Sequence, residues 1–293
     1  MPSTPHDNAE PGPHDAATAF ESGLYIVATP IGNLADLSHR AIALLRAADL
    51  VAVEDSRVTG KLLHHLGIKK RMRPYHDHSS EHDRAMLLDA ARDGIVVLVS
   101  DAGTPLISDP GYKLVRAARD AGLMVSTAPG PSAAIAALSI SGLPTDRFLF
   151  AGFLPSRAKA RADILAELAD VKSTLLFYES GPRLGASLAA MAEILGTREA
   201  AVARELTKKF EEVVTGSLAE LAARYAAETP KGEIVVIVGP PAERAAESGD
   251  VDGALREALS AMPTAKAAGQ IAKRFGLERA EVYARAMAIK SGG

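Results

Sequence analysis

The sequence of 293 residues contains no cysteine and no tryptophan, and aromatic residues make up only 4% of it. The absence of cysteine excludes disulfide bonds, thiolate zinc sites and cysteine nucleophiles. The scarcity of aromatic side chains argues against a broad base-stacking surface of the single-strand-binding kind. No apolar run reaches the length of about 18 residues that a membrane-spanning helix requires, so we expect no contact with a membrane.

The sequence also lacks a strong charge of either sign, with a formal net charge of -3. A basic field over the whole surface is therefore excluded, and any contact with nucleic acid has to come from local patches. The beginning of the chain is rich in Pro, His, Asp and Ala, and it lacks the basic and apolar segments of a signal peptide. We therefore expect residues 1–22 to form a disordered lead-in. By default, we expect the protein to be cytoplasmic.

Short apolar runs alternate regularly with segments in which apolar residues have helical spacing. Strand-like runs lie at residues 24–29, 50–53, 95–99 and 124–127. This alternation predicts a mostly parallel sheet with helices on both faces, and such sheets bind ligands at the carboxyl ends of their strands. A second series of strands begins near residue 148 and contains a hairpin pattern around residues 205–211, which predicts a mixed sheet.

The fold class expected from these patterns is α/β, with two α/β domains and a small helical module. The predicted boundaries are 23–145 for the N-terminal domain, 146–240 for the C-terminal domain, 241–250 for a linker and 251–293 for the tail.

The tail has two apolar stripes that are separated by Gly276 and Leu277, which is a helix-turn-helix pattern. Its seven Lys and Arg residues outnumber its four acidic residues, whereas the rest of the chain is acidic. Lys273, Arg274 and Arg279 are its candidate contacts with RNA phosphates.

The turns after the strands indicate which cofactor to expect. Pro30 removes an amide donor from the first turn, where a dinucleotide-binding protein has G-x-G-x-x-G, and the spacing of a P-loop is also missing. A phosphate-bound cofactor is therefore not expected, whereas Pro/Gly-rich turns suit S-adenosylmethionine, which carries no phosphate. The loop 100–111 is the strongest signal for a binding site, and its alternative interpretation is an elaborate turn in which Asp109 caps the next helix.

Eight collinear segments give the sequence a family resemblance. They are LYIVATPIGN (24–33), VEDSRVT (53–59), VLVSDAGTPLISDPG (97–111), APGPSA (128–133), FAGFLP (150–155), FYESGPR (177–183), ARELTKKFEE (203–212) and GEIVVIVG (232–239). Together they resemble the tetrapyrrole methylase superfamily and, within it, the ribosomal RNA small subunit methyltransferase I family. The basic tail is similar to an extension seen in that family.

The resemblance implies two α/β domains with S-adenosylmethionine in the cleft between them, no metal, and usually a homodimer. It implies 2′-O-methylation of a decoding-region cytidine in 16S ribosomal RNA, as free RNA or within the assembled small subunit. The implied cofactor contacts are Pro30, Gly103, Thr104, Ile107, Ser132, Ala133, Phe153, Leu154, Lys231, Gly232 and Glu233. Thr104 stands where the tetrapyrrole branch typically has aspartate, and the missing carboxylate weakens the interpretation that the methyl acceptor is a small molecule.

A ribose hydroxyl is a very weak acid, so its methylation needs a base or dipoles that accept the proton. Glu54 and Asp55 leave the second strand beside the expected cleft, and we predict that one of them accepts the proton while Arg57 holds a phosphate. The alternative is that both acids only cap the helix or pair with Arg57.

Other polar residues are ambiguous from sequence alone. Lys208 and Lys209 are candidate phosphate contacts or, equally, a solvated charge run. Arg204 and Glu205 are a candidate ion pair at the cleft. The histidines at positions 76, 78 and 82 resemble a metal cluster, but their polar surroundings favour a solvated loop.

Two other functions remain open. The first is methylation of a corrin or porphyrin precursor on the same scaffold, because fold does not determine function. The second is a DNA-binding regulator whose α/β body senses a ligand, which the helix-turn-helix tail motivates.

Overall fold

The computed structural model describes residues 20–76, 78–242, 248–275 and 277–291. These form two compact units, the first ending at Pro241 and the second beginning at Ala242. The predicted lead-in, up to residue 19, and residues 243–247 of the predicted linker lie outside the described residues. No described helix is long and apolar enough to span a membrane.

The first sheet contains five strands, and all of its pairings are parallel, as predicted. The strands are β1 (Gly23–Val27), β2 (Leu50–Val53), β3 (Met72–Pro74), β4 (Ile95–Val99) and β5 (Val125–Ala128), in the order β3-β2-β4-β1-β5. The edge strand β3 was not predicted, because three residues that end in proline carry no apolar run. Proline is tolerated there because an edge strand leaves one row of amides without a partner.

Helices pack on both faces of this sheet. They are α1 (His39–Ala47), α2 (Ser56–His65), α3 (Glu81–Asp93), α4 (Tyr112–Asp120) and α5 (Ala133–Ile140). Ser38 caps α1, and Ser80 and Asp83 form a capping box at the start of α3. Alternate residues of β4 enter different cores, with Val97 in one and Val96 in the other, so both faces of the sheet are buried.

Two helix starts differ from the sequence interpretation. The sequence pattern predicts a helix from about residue 59 to 66, whereas α2 begins at Ser56, because Asp55 accepts a hydrogen bond from the Arg57 amide and caps it. Helix α4 begins only at Tyr112, and its capping position is Gly111, with φ of 136°. The alternative in which Asp109 caps this helix is therefore wrong, and the Asp109 carboxyl is available for another role.

The second sheet is mixed, as predicted. Its strands are β6 (Phe148–Phe153), β7 (Thr174–Ser180), β8 (Glu199–Arg204), β9 (Glu212–Ser217) and β10 (Glu233–Val238), in the order β6-β7-β10-β8-β9. Only β6 and β7 pair in parallel, and β8 and β9 form the antiparallel hairpin. Helices α6 (Ala158–Glu167), α7 (Gly181–Leu195) and α8 (Leu218–Tyr225) complete this part.

Helix α5 joins the two sheets into one unit. Its Ala134 and Ala137 pack with Leu176 and Ile237 of the second sheet, and Ile31 from the turn after β1 belongs to the same cluster. The predicted domain boundary at residues 145 and 146 falls between α5 and β6, and the division into two domains stays a prediction.

The second compact unit is a three-helix module of α9 (Ser248–Ala261), α10 (Thr264–Phe275) and α11 (Arg279–Lys290). The two apolar stripes predicted for the tail meet in its core, where Ile271 and Val282 are buried with Val251 and Leu255 of α9. Helix α9 was not predicted, and it begins at Ser248, inside the segment that was interpreted as a linker up to residue 250.

Candidate active site

A cavity of about 430 Å³ lies in the first unit, at the carboxyl ends of the first-sheet strands. The turns after β1, β2, β4 and β5 supply one wall, with Ile31, Glu54, Asp101, Ala102, Gly103, Thr104, Ile107, Ser108, Asp109, Ser132 and Ala133. The second sheet and its loops supply the other wall, with Phe153, Tyr178, Glu179, Ser180, Leu206, Gly232, Glu233 and Val235. The site therefore lies at the edge of the sheet that the alternation of strands and helices predicts.

Backbone hydrogen bonds hold the first wall in shape. Thr29 and Gly103 exchange two of them, with N···O distances of 2.9 and 3.0 Å, and so link the turns after β1 and β4. Gly103 has φ of 79°, a conformation that side chains with a Cβ rarely adopt. The Thr104 hydroxyl donates to the Pro131 carbonyl at 2.9 Å and ties in the turn after β5.

Eight of the eleven predicted cofactor contacts line the cavity. They are Gly103, Thr104, Ile107, Ser132, Ala133, Phe153, Gly232 and Glu233. The other three do not line it but precede or follow residues that do: Pro30 precedes Ile31, Leu154 follows Phe153, and Lys231 precedes Gly232. The Leu154 side chain is buried in the core of the second sheet. Their contact with a cofactor stays a prediction.

The charge of the cavity is one-sided. Five carboxylates line it, and no Lys, Arg or His is found among the lining residues that the structure describes. Two of the five, Glu179 and Glu233, form ion pairs with Arg183 and Lys208 behind the second wall, so the negative charge is concentrated at Glu54, Asp101 and Asp109 of the first wall. Such a surface repels phosphate groups and attracts a cationic ligand, because opposite charges attract strongly where water is partly excluded.

Asp109 is the titratable group of this cavity that its surroundings perturb most clearly. Burial raises the pKa of its carboxyl to about 6, the negative charges of Glu54 and Asp101 add to the rise, and a hydrogen bond with Ser100 opposes it. Sequence reasoning placed Asp101 and Asp109 in the right loop but did not identify them as site residues. The signal was present, because both lie in the 100–111 loop that precedes α4.

The predicted catalytic group Glu54, Asp55 and Arg57 is divided by the structure. Glu54 lines the cavity, and one of its carboxylate oxygens lies 3.5 Å from the Asp101 amide nitrogen. Asp55 does not line the cavity, and its carboxylate accepts hydrogen bonds from the amide and guanidinium of Arg57. The guanidinium holds the pKa of Asp55 down at about 2, so this carboxylate is a weak base. The Arg57 side chain is 86% exposed.

An aromatic and ionic network supports the second wall. The ring of Tyr178 packs edge-on against Phe153, with the ring centres 5.5 Å apart. Next to it, Glu179 is only 4% exposed, accepts a hydrogen bond from Ser187 at 2.5 Å and pairs with Arg183 at 3.3 Å. Arg183 also donates to the carbonyl of Leu154, directly after Phe153. Tyr178 and Glu179 both line the cavity.

The side chain of Lys208 is bound by two carboxylates. Its ammonium group lies 2.9 Å from a carboxylate oxygen of Glu205 and 3.0 Å from one of Glu233, and these carboxylates raise its pKa against the effect of burial. The predicted pair between Arg204 and Glu205 is wrong, because Arg204 pairs with Glu212 at 3.0 Å and leaves Glu205 to Lys208. The geometry does not favour the predicted phosphate contact of Lys208, which stays untested.

The remaining basic candidates are exposed. Lys209 follows Lys208 at the surface, and Lys273, Arg274 and Arg279 lie on the surface of the three-helix module. Their contact with RNA also stays a prediction.

Comparisons with known proteins agree with this geometry. Residues 23–222 match the family of tetrapyrrole (corrin/porphyrin) methylases, and residues 245–290 match the RsmI C-terminal HTH domain. Ribosomal RNA small subunit methyltransferase I of Erythrobacter litoralis is 57% identical over 95% of this chain and 99% of its own length. The protein of the same name from Escherichia coli O157:H7 is 44% identical over 94% of this chain and 98% of its own.

Solved structures show the same fold at low sequence identity. A diphthine synthase superposes with a TM-score of 0.60 at 17% identity and covers 74% of this chain and 89% of its own. A uroporphyrin-III-C-methyltransferase from Thermus thermophilus has a TM-score of 0.54 at 24% identity and covers 75% of this chain and 94% of its own. At these identities the two matches show the fold alone. The identity and coverage of the curated relatives decide the matter: this chain belongs to the ribosomal RNA small subunit methyltransferase I family, a branch of the tetrapyrrole methylases.

Proposed function

We propose that this chain transfers a methyl group from S-adenosylmethionine to the 2′-hydroxyl of a decoding-region cytidine in 16S ribosomal RNA. The observation that carries the proposal is the acidic cavity at the strand ends, in a chain whose curated relatives are named for methylation of small-subunit ribosomal RNA. The homodimer that the family resemblance suggests and the cytoplasmic location expected by default belong to the same proposal.

The residues of the cavity fit S-adenosylmethionine. A volume of about 430 Å³ is in the range of small-molecule sites, which is roughly 300–1,000 Å³. The cofactor has a positively charged sulfonium and no phosphate, and the carboxylates of Glu54, Asp101 and Asp109 at the first wall suit that charge. Phe153, Ile107 and Val235 offer apolar surface for its adenine, and the turns at Gly103 and Gly232 allow close approach of the backbone.

When bound, the cofactor supplies an activated methyl group, and the residues of the chain must align the hydroxyl and accept its proton. Glu54 and Asp109 both line the cavity, and the negative charge of Glu54 contributes to the raised pKa of Asp109. With a pKa of about 6, Asp109 is ionised at neutral pH and is a stronger base than an ordinary aspartate. We therefore propose that Asp109 accepts the proton, with Glu54 as its neighbour and the sequence-based candidate for the same role.

The acceptor is tested by transfer of labelled methyl from S-adenosylmethionine, with small ribosomal subunits, naked ribosomal RNA and a tetrapyrrole precursor offered in parallel. The proposal expects label in RNA at an alkali-resistant ribose linkage. Label found only in the tetrapyrrole would overturn the RNA acceptor and leave the fold and the cofactor site standing. Preference for subunits over naked RNA would show that the assembled particle is the substrate.

A further inference from the structure

An exposed aromatic side chain lies in the loop between β8 and β9, for which we use the name rim segment (residues 205–211). The side chain of Phe210 is 63% exposed, and it is one of only seven phenylalanines in the chain. The ammonium group of the adjacent Lys209 lies 5.6 Å from the centre of the Phe210 ring. Aromatic faces accompanied by cations are the surfaces on which proteins stack nucleic acid bases.

The rim segment is anchored to the cavity. Leu206 lines the cavity, and Lys208 bridges Glu205 within the segment to Glu233 of the cavity wall. A Cβ added at Gly32 would lie 2.5 Å from the Lys208 side chain, so the segment also packs tightly on the turn after β1. Phe210 therefore follows, within two residues, a side chain that is fixed on both walls of the site.

The backbone of the rim segment is preorganised. Glu205 and Thr207 have φ of 51° and 64°, a left-handed conformation that is unfavourable for residues other than glycine. The Thr207 amide donates to the Glu211 carboxylate at 2.6 Å, and the Glu211 amide donates to the Lys208 carbonyl at 3.1 Å. Strain of this kind persists only where the surrounding contacts impose it, and it points to a role for the side chains that the segment presents.

We propose that Phe210 stacks on a base of the RNA strand that carries the acceptor ribose, while Lys209 contacts a phosphate of the same strand. This inference rests on the proposed function. Proteins read unpaired RNA by stacking splayed bases on aromatic side chains, and stacking tolerates any base. The competing occupant of an exposed phenylalanine is a second copy of this chain, and the experiments below separate the two.

The first experiment uses the absence of tryptophan from the chain. In the Phe210→Trp variant the new side chain is the sole tryptophan, so its fluorescence reports on this position alone. The proposal expects quenching when 16S ribosomal RNA is added and no comparable change with S-adenosylmethionine alone. Unchanged emission at RNA concentrations that saturate binding in a filter assay overturns the proposal.

The second experiment compares Phe210→Ala with Phe148→Ala, a control at a phenylalanine that is 45% exposed and does not line the cavity. Loss of one stacked base should raise the KM for RNA roughly 5- to 150-fold, with the Kd for cofactor unchanged. Phe210→Tyr should restore the KM, because it keeps the aromatic face.

The outcomes separate this inference from the function on which it rests. If the wild type methylates RNA and Phe210→Ala has the same KM for RNA, the stacking contact is overturned and the proposed function stands. If the wild type methylates no RNA, the stacking contact and the proposed function are both overturned. Light scattering supplies the remaining comparison: if Phe210→Ala dissociates an oligomer that Phe148→Ala leaves intact, the ring packs on a second copy and not on RNA.

Discussion

Asp109 in the first wall of the cavity and Glu205 beside the second wall have pKa values that are shifted in opposite directions. On the first wall, Asp109 is half-buried near Glu54 and Asp101, and burial together with their negative charges raises its pKa to about 6. Beside the second wall, the hydrogen bond and charge of Lys208 lower the pKa of Glu205. A carboxylate with a raised pKa is a better base, whereas one with a lowered pKa is committed to its partner. This contrast agrees with the proposal that the first wall supplies the base and the second holds the shape of the site.

The largest effect that this contrast predicts is on the chemical step. Asp109→Asn removes the proposed base, and a general base contributes about 10²- to 10⁴-fold, so single-turnover methyl transfer should slow by that amount. Asp55→Asn is the matched control, because the Asp55 carboxylate lies outside the cavity and is bound by Arg57. Should Asp55→Asn slow the reaction as much as Asp109→Asn does, the proton acceptor has been assigned to the wrong strand end.

The same contrast predicts how the rate depends on pH. The wild-type rate should fall as the pH drops through about 6, because Asp109 becomes protonated there and can no longer accept a proton. Glu54→Gln removes one of the charges that raise this pKa, so the fall should move to lower pH. A single-turnover profile that is flat between about pH 5 and 7 would contradict a role for Asp109.

The second wall should respond through stability. Glu179→Gln replaces a buried carboxylate with a neutral amide and leaves the half-buried Arg183 without its ionic partner, and breaking this pair is expected to lower the free energy of unfolding by about 2–3 kcal/mol. Urea unfolding should show a lower midpoint with an unchanged slope. Glu193→Gln, at an exposed glutamate of helix α7, which also carries Arg183, is the control and should shift the midpoint little. Equal midpoints for the two variants would mean that the network does not stabilise this wall.

The two walls also differ in how far the sequence reveals them. Apolar runs and turn residues predict the parallel sheet, the mixed sheet and the sheet edge at which a ligand binds, because the carboxyl ends of parallel strands meet at one edge. The individual cofactor candidates came from the family resemblance. The partners of Lys208 were not predictable, since Glu233 lies 25 positions away and is brought close only by the pairing of β8 with β10. The alternative in which Asp109 caps α4 could not be excluded from the sequence, because a polar residue followed by proline at a helix start looks alike whether or not its carboxyl is buried.

Adjacent lysines at the second wall should therefore behave differently. Lys208→Gln removes the contact between the rim segment and Glu233, and we expect the Kd for S-adenosylmethionine to rise roughly 5- to 20-fold in calorimetric titrations. Lys209→Gln should leave that Kd unchanged and instead reduce the salt dependence of RNA binding by about one phosphate contact. The reverse pattern would return Lys208 to the phosphate role that the sequence suggested.

The smallest predicted effect concerns the stability of the first wall. The pKa of Asp109 is raised from 3.8 to about 6 in the folded protein, so between these values the folded state keeps a proton that the unfolded state has lost. Stability conferred by the protonated carboxyl is therefore present at low pH and is lost as the pH rises through about 6.

Asp109→Asn cannot ionise, so at about pH 7.5 it should be more stable than the wild type by about 1 kcal/mol, and this advantage should vanish near pH 4. The figure is smaller than the full shift implies, because the variant also weakens the hydrogen bond with Ser100. Thermal unfolding at both pH values measures the difference, with Asp55→Asn expected to have no such advantage, since its pKa is lowered. If Asp109→Asn is less stable at both pH values, the carboxylate is well solvated or well bound in the folded state. If Asp109→Asn is instead the more stable protein at about pH 7.5, the slower enzyme is the more stable one. That outcome is expected if the first wall keeps an unfavourable buried charge for the sake of the proposed reaction.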